Sequence, residues 1–369
     1  MWLKNKRKPI AVNLASIVLS SALLIYGGVL KNSQHTQFSY KEWESSEKKL
    51  ACSQVSAFFT DNSDFSTDTL NNTRSSIQSK ITDASLSAKE NTRLWYDSCY
   101  SRFGKASVTG NTTGRQESEI NVVNSDFFLL HKLKLVNGAF FSDSDIMHDY
   151  AVIDELAAWK LFGSSDVCGM TININNVTFY ISGVTETPKN KIDKKCYGKY
   201  PQIYISYEGA SSLCDKKYTD IDCYEAVLPQ PVKKFASSAF KSALEEFSDD
   251  AVILENTNRF SFFKRLKALK KIENSVANEK PVIFPWWEKS ARITEFRLSF
   301  IYFFSLILLI IPFINLIKLL VRLYKASKEQ KTKAFNSISN AFDKFRTRKY
   351  RKEHTISDIS SDTEKEKSL

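Results

Sequence analysis

Residues 150–184 read YAVIDELAAWKLFGSSDVCGMTININNVTFYISGV. The apolar run Tyr150–Ile153 predicts a buried strand, and Asp154 is a residue type that caps the helix after it. Gly163 then ends that helix, because glycine accepts the positive φ of a helix C-terminus. Apolar and polar residues alternate on both sides of the pair 175–176, two asparagines that tolerate positive φ, so a β-hairpin is predicted there.

The sequence on either side of this stretch predicts further helices and strands. Helix-like spacing of apolar residues predicts helices over Ser39–Phe59, Thr67–Tyr100, Val232–Phe247 and Phe262–Ile272. Short apolar runs predict strands at Ile120–Val123, Gln202–Ser206, Ala226–Leu228 and Ala251–Glu255. Because these elements do not alternate as a βαβ repeat, the predicted class is an α+β domain.

Positive charge is concentrated beside two apolar stretches. The chain carries 52 Lys+Arg and 41 Asp+Glu, a net charge of +11. Residues 1–30 contribute +4, residues 318–352 contribute +10 and residues 353–369 contribute −3, which leaves the intervening segment neutral. The stretches 10–30 and 298–317 hold no charged residue and can each cross a bilayer core of about 30 Å as a helix. The charge therefore indicates membrane topology and contact with the lipid bilayer, not a nucleic-acid partner.

The Lys and Arg residues next to the two stretches predict their orientation. Residues 1–9 and the tail 318–369 are expected in the cytoplasm, and residues 31–297 outside the cytoplasmic (inner) membrane. A cleaved signal peptide is the competing interpretation of residues 10–30. The residues expected at the membrane interface are Trp286, Trp287, Lys318, Arg322 and Lys325.

All six cysteines lie in the segment expected outside the membrane. An even number of cysteines in an oxidising compartment predicts disulfides, although several pairings are open. The candidates are Cys52, Cys99, Cys168, Cys196, Cys214 and Cys223. Cys52 and Cys99 fall near the facing ends of the two predicted N-terminal helices, so a Cys52–Cys99 bridge is the first pair expected.

Sequence motifs for catalysis, nucleotide binding and metal binding are missing. The sequence has no Walker A motif, no G-x-G-x-x-G and no H-E-x-x-H, and its four histidines accompany no obvious nucleophile. The cysteine spacings do not match a zinc ribbon. The chain is therefore expected to be no enzyme and to hold no cofactor and no metal.

Three segments in a fixed order resemble a known family. They read NSDFFLLHKLKLVNGAFFSDSD (residues 124–145), YAVIDELAAWKLFGSSDVCG (residues 150–169) and ININNVTFYISGV (residues 172–184). The sequence resembles the MacB-like periplasmic core domain of ABC transporter permeases of the MacB, FtsX and LolC/LolE class, over roughly residues 10–320. The resemblance implies a porter-like α/β lobe from about residues 40–120 and 226–280, and a β-rich inserted lobe from about residues 121–225.

The resemblance also implies a function. Permeases of this class usually carry three spans after the outside domain, whereas one is expected here. The chain is therefore expected to be a non-catalytic membrane subunit of an ABC transporter that works with a separate ABC ATPase and a fuller permease subunit. Its extracytoplasmic domain would relay motion or engage a substrate or partner. A two-span receptor or regulatory protein that uses the domain for binding is the alternative, and an extracellular hydrolase is a third, less favoured hypothesis.

Overall fold

The structure, a computed structural model, describes residues 2–46, 50–88, 92–110, 114–269 and 280–365. The chain divides into two compact units. One unit runs from Leu23 to Phe303, and the other combines the residues up to Ala22 with those from Phe304 onward. The first unit contains every strand of the described chain and is called the domain below.

Helices and strands alternate irregularly along the described residues. The helices are α1 (Trp2–Asn32), α2 (Ser39–Ser46), α3 (Thr67–Asp83), α4 (Asp126–His131), α5 (Glu155–Phe162), α6 (Lys191–Tyr197), α7 (Tyr207–Ser211), α8 (Phe235–Ala243), α9 (Phe262–Ala268) and α10 (Trp286–Lys365), with 3₁₀ turns at His35–Gln37 and Glu245–Phe247. The strands are β1 (Cys52–Phe59), β2 (Tyr96–Gly110), β3 (Arg115–Val123), β4 (Leu135–Gly138), β5 (Tyr150–Asp154), β6 (Thr171–Ile174), β7 (Val177–Thr185), β8 (Gln202–Ile205), β9 (Cys223–Pro229) and β10 (Ala251–Glu255).

These strands form one mixed sheet, of which one part is open and the other part closes into a barrel. Its order is β10-β1-β9-β2-β3-β8-β5-β7-β4, and β6 pairs with both β2 and β7. The long strand β2 pairs with β9 near its start and with β6 near its end. The pairings from β2 through β3, β8, β5, β7 and β6 back to β2 therefore close a six-stranded barrel. The register of β2 shifts between Arg102 and Gly104, where a positive φ at the glycine lets the strand bend between the two parts.

Helices cover both faces of the open part of the sheet. On one face, α3 and α8 pack through Ile77, Ile81 and Phe240, in a buried cluster that continues into the barrel interior. On the other face, Tyr40 of α2 and Leu130 of α4 pack against β1, β2 and β9. Apolar residues buried between these layers hold the sheet and helices together. The predicted α+β class is confirmed.

The stretch 150–184 folds as predicted. Asp154 Oδ1 accepts a hydrogen bond from Ala157 N at 2.7 Å, which caps α5, and Gly163 ends that helix with φ of 72°. Asn175 and Asn176 have φ of 48° and 70°, and they join the antiparallel pair β6 and β7. Local signals are sufficient here because the caps and the turn lie within a few residues of the elements they terminate.

Two of the predicted helices are wrong over their second halves. In place of Ser39–Phe59, helix α2 ends at Ser46 and strand β1 begins at Cys52. In place of Thr67–Tyr100, helix α3 ends at Asp83 and β2 begins at Tyr96. All eight residues of β1 are buried, its polar ones included, so the strand lacks the alternating pattern of a half-exposed strand. The hydrogen bonds that make this burial tolerable come from residues far away in sequence.

The structure does not bring the first expected cysteine pair together. Cys52 and Cys99 lie on β1 and β2, which flank β9 on opposite edges, opposite Pro229 and Tyr224 respectively. Two strand spacings, about 10 Å, exceed the Cα separation of about 7 Å that a disulfide tolerates. The Cys52–Cys99 prediction was wrong because it assumed two facing helices. Burial also raises the pKa of the Cys99 thiol, which keeps it protonated.

Two helices of the described chain are long and apolar enough to cross a membrane. The qualifying stretches are Ile10–Asn32 of α1 and Trp286–Arg348 of α10. In the unit outside the domain, Asn315 Nδ2 donates to Asn13 Oδ1 at 2.7 Å, and Ser20 Oγ donates to Ser305 O at 3.2 Å. Residue numbers therefore rise along α1 as they fall along α10, so the two helices run antiparallel.

Candidate functional site

The ends of α1 and α10 that belong to the domain meet in a buried polar cluster, which we call the helix junction. All but one of its members are buried, and the exception, Glu295, is half-buried. Because polar groups are costly to bury unless they are paired, the pairing of these groups decides what the cluster does. The helix junction comprises Gln34, Gln37, Asp193, Asn256, Arg259, Glu288, Ser290 and Glu295.

Arg259 is the centre of the helix junction. Its guanidinium pairs with both oxygens of Glu288, at 2.8 Å (Nη1–Oε2) and 3.0 Å (Nη2–Oε1), and with both oxygens of Glu295 at 3.2 Å. Nη1 also donates to Gln37 Oε1 at 3.1 Å. Burial alone lowers the pKa of Arg259, but the two carboxylates raise it above its ordinary value, so the group stays charged. One buried cation thus connects α10 to the 3₁₀ turn that follows α1.

The spacing along α10 explains why its carboxylates converge. Glu288, Arg292 and Glu295 are four and three residues apart, so they share one face of the helix. Arg292 Nε donates to Glu288 at 2.9 Å, and Arg265 of α9 pairs with Glu295 at 2.9 Å. Both carboxylates therefore have a second arginine besides Arg259, so neither depends on a single buried partner.

Gln34 connects the end of α1 to α6 and α10. Its Nε2 donates to Asp193 Oδ1 at 3.2 Å and to Ser290 Oγ at 3.0 Å. Ser290 Oγ in turn donates to Asp193 Oδ1. Asn190 Nδ2, which comes just before α6, donates to Ser33 Oγ at 3.1 Å. A displacement of α1 relative to α10 would break several of these hydrogen bonds at once.

Apolar contacts support the polar ones. Leu30, Ile192, Phe260, Ala291 and Leu298 form one buried cluster that brings together α1, α6, α9 and α10. Gly27 allows the two long helices to approach closely, because a Cβ placed there would lie 3.3 Å from side-chain carbons of both Leu298 and Ile301. The helices therefore pack with little free space on the domain side.

A buried histidine and a buried glutamate approach each other beside the junction. His131 Nε2 is 3.0 Å from Glu225 Oε2, a close approach without hydrogen-bond geometry, and both side chains are almost fully buried. The imidazole lies between the rings of Phe127 and Trp287, with centroid distances of 4.3 Å and 4.2 Å. Trp287 lies at the start of α10 and therefore brings that helix into contact with this pair.

Hydrogen bonds connect this pair to Arg259. Ser56 Oγ donates to Glu225 Oε1 at 2.5 Å, and Asn256 Nδ2 donates to Ser56 Oγ at 2.7 Å. Arg259 Nη1 then donates to Asn256 Oδ1 at 3.2 Å. A continuous buried polar path thus runs from α4, through β9 and β1, to α10.

Two of the expected membrane-interface residues pack against the domain. Trp287 is 1% exposed, with its ring 4.9 Å from that of Tyr100, and Trp286 packs against Tyr197 at 5.3 Å. Both indoles contact the domain because α10 begins inside it. The other three, Lys318, Arg322 and Lys325, are exposed on α10 in the second unit. The place of all five residues at a membrane interface stays a prediction.

Sequence reasoning missed the helix junction itself. Arg259 follows a strand as one of many surface-type charges, and Gln34 and Gln37 carry no motif. The available signal is the face shared by Glu288 and Glu295 directly before an apolar stretch, since charges there are costly without partners. Across the described ranges of the chain, no group of three or more His, Cys, Asp or Glu residues is arranged to hold a metal ion.

Comparison with known proteins points to one family. The sequence model of the MacB-like periplasmic core domain matches residues 29–229. The macrolide export ATP-binding/permease protein MacB of Pasteurella multocida (strain Pm70) is 31% identical over 99 residues, which are 26% of this chain. The match spans about 15% of the length of that relative.

Two solved structures are similar in fold at low sequence identity. The periplasmic region of MacB from Actinobacillus actinomycetemcomitans has a TM-score of 0.41 and 13% identity, covering 60% of this chain and 92% of that one. The extracellular domain of the noncanonic ABC-type transporter YknZ from Gram-positive bacteria has a TM-score of 0.37 and 15% identity, covering 55% of this chain and 99% of that one.

Proposed function

The chain belongs to the family of the MacB-like periplasmic core domain, found in ABC transporter permeases, and on that premise we propose that it is a non-catalytic transporter subunit that relays motion. The observation that carries the proposal is the helix junction. Through it, two helices apolar enough to cross a membrane are held by one domain. The domain and the adjoining helix ends then move as one body, which is the mechanical requirement for a relay.

The energetics of buried charges support rigid coupling. Separating Arg259 from Glu288 would break an ion pair in a site where both side chains are at most 6% exposed, and it would leave Glu288 with only the partly exposed Arg292. Such separations cost about 3–5 kcal/mol, well above thermal energy. A movement imposed on α10 therefore passes to the domain as a rigid displacement, and relative sliding of the helix is disfavoured.

We propose that the moving force comes from partners. An ABC ATPase would supply hydrolysis, since this sequence has no Walker A motif, and a fuller permease subunit would supply further membrane helices. The unit outside the domain offers a place for such helices. A groove of about 690 Å³ there is lined almost entirely by apolar side chains beside Pro312, and the Asn13–Asn315 pair borders it. Polar pairs between membrane helices commonly lie at packed interfaces.

The antiparallel pairing of α1 and α10 supports the proposed topology. It brings residues near Asn13 and Asn315 together at one end of the pair, so both flanking basic segments lie toward the same side. By the positive-inside rule we assign that side to the cytoplasm of the inner membrane, with the domain outside.

Affinity purification tests the partner proposal. The full-length protein, extracted from its own membranes in mild detergent, is expected to co-purify with an ABC ATPase and a permease subunit. A monomer with no co-purifying ATPase or permease would contradict the transporter role and favour a receptor or regulatory protein.

The relay itself is tested in the purified complex. Hydrogen exchange in the β6–β7 hairpin is expected to differ between the nucleotide-free and ATP-bound complex. Arg259→Met should abolish that difference while ATP hydrolysis continues. Lys217→Met serves as the matched control, because Lys217 pairs with Asp68 and both side chains are exposed, so this variant should behave like the unaltered chain. A hairpin that responds equally in Arg259→Met would contradict the relay.

A further inference from the structure

Residues 318–348 of α10, called the basic segment below, present an apolar stripe to solvent. Phe335, Ile338, Phe342 and Phe345 are 72%, 61%, 74% and 73% exposed. Their spacing of three, four and three residues places them within an arc of about 80° on the helix. Every residue of the basic segment is exposed. Four large apolar side chains on one exposed stripe are a surface that requires a partner to leave water.

The charge of the basic segment indicates the chemistry of that partner. Nine Lys and Arg residues stand against Glu329 and Asp343 alone, a net charge of +7 over 31 residues. Lys328 and Arg346 border the apolar stripe, where long side chains can extend away from an apolar surface while their charges stay in water. A second copy of the same helix would bring two such charges together, so self-association along this stripe is disfavoured. An anionic surface complements it.

We propose that the basic segment docks on the anionic lipid surface of the membrane. Phenylalanine and isoleucine would insert into the headgroup and acyl boundary, and the lysines and arginines would contact lipid phosphates. The segment follows directly after the apolar stretch 298–317, so its first charges are already close to headgroups if that stretch spans the bilayer. This surface is independent of the proposed transporter role, because it needs neither an ATPase nor a second permease.

The experiment uses the full-length chain in nanodiscs, where both lipid faces are accessible. Amide hydrogen exchange of residues 327–348 is compared in phosphatidylcholine alone and in phosphatidylcholine mixed with phosphatidylglycerol. Exchange is expected to slow at least about tenfold in the anionic discs, since each basic side chain near such a surface strengthens binding about fivefold. High salt should reverse the protection, because exposed charges are screened.

Two variants test the two halves of the surface. Replacing the four stripe residues together (Phe335→Ser, Ile338→Ser, Phe342→Ser and Phe345→Ser) should remove the protection, and so should Lys328→Gln with Lys344→Gln, Arg346→Gln and Arg348→Gln. Ser337→Ala with Asn340→Ala and Thr347→Ala, on the opposite side of the helix, should leave it intact. Exchange in β1, unchanged throughout, shows that the domain remains folded.

Two results would overturn the proposal. Equal protection in neutral and anionic discs would mean that the stripe packs against protein or against a second copy. Fast exchange in both discs would mean that lipid does not bind it, and that an acidic protein surface is the occupant.

Discussion

The start of α10 and its basic segment belong to one helix but have opposite surroundings. In Trp286–Phe303, residues Trp287, Glu288 and Thr294 are at most 1% exposed. Trp287 packs against Phe127 of α4, and Glu288 pairs with Arg259 in the turn after β10. In the basic segment, even phenylalanines are more than 70% exposed. The helical sequence of α10 therefore does not by itself identify which part of the helix forms a functional surface. The first part is held by distant residues and couples the helix to the domain, while the second is free to bind a partner.

The largest expected effect concerns the charge that holds the start of α10. Arg259→Met should lower the free energy of unfolding by about 3–5 kcal/mol, because Glu288 would lose its buried partner. Denaturant titration of the full-length protein in detergent, followed by tryptophan fluorescence, measures this loss. Lys217→Met, which breaks a surface pair with Asp68, should cost less than about 1 kcal/mol. Equal losses of unfolding free energy in the two variants would contradict the claim that the helix junction stabilises the protein more than a surface ion pair does.

Asp154 provides a further test, because it is a buried carboxyl group without an arginine partner. Burial raises the pKa of Asp154 to about 6, although hydrogen bonds from Ala157 N, Gln202 N and Tyr197 Oη lower it. Between about pH 4 and 6 the folded protein keeps a proton that the unfolded chain has released. This group's contribution to the free energy of unfolding therefore falls as pH rises through that window, by up to about 3 kcal/mol.

Asp154→Ala isolates that contribution. The variant loses the cap of α5, and its stability should fall less steeply between pH 4 and 7 than that of the unaltered chain. Urea unfolding at several pH values measures the difference. Parallel pH profiles for the two proteins would show that Asp154 ionises alike in the folded and unfolded states.

A neutral member of the helix junction should have a smaller effect than Arg259. Gln34→Leu removes donors to Asp193 and Ser290, and leaving the buried Asp193 carboxyl with one donor fewer should cost about 1–3 kcal/mol. The same titration measures it. A loss as large as that of Arg259→Met would mean that the polar network, and not the buried cation, holds α10.

The smallest expected effect lies in the basic segment. Phe342→Ser should change the free energy of unfolding of the domain by less than about 0.5 kcal/mol, because that side chain is 74% exposed. Differential scanning calorimetry in neutral detergent provides the measurement. A marked fall in Tm would show that the segment packs against protein, contrary to the exposure described.

What could be predicted from sequence depended on the range of the determining contacts. The cap at Asp154, the Gly163 terminus and the hairpin at 175–176 are local, and they were confirmed. Strand β1 was missed because its buried polar side chains form hydrogen bonds with residues distant in sequence, as Ser56 does with Glu225. The helix junction was not predicted for the same reason, because no residue near Arg259 in sequence indicates a partner in α10.

Trp286 and Trp287 have surroundings that their sequence position does not indicate. Their position about ten residues before an apolar stretch is typical of a membrane interface, yet Trp287 fills the space beside His131 in the domain. Sequence distance to a span does not tell whether a helix begins in lipid or in protein. In this chain the tertiary contacts of α10 decide it.

Amide hydrogen exchange of the full-length protein in neutral nanodiscs tests the coupling claim most directly. The relevant peptides cover residues 33–38 and 286–296, which belong to the helix junction and precede or follow the apolar stretches. If the junction holds the helices to the domain, these amides exchange as slowly as those of β1, while residues 327–345 exchange fast. Exchange in 33–38 and 286–296 as fast as in the basic segment would contradict rigid coupling between the domain and its helices.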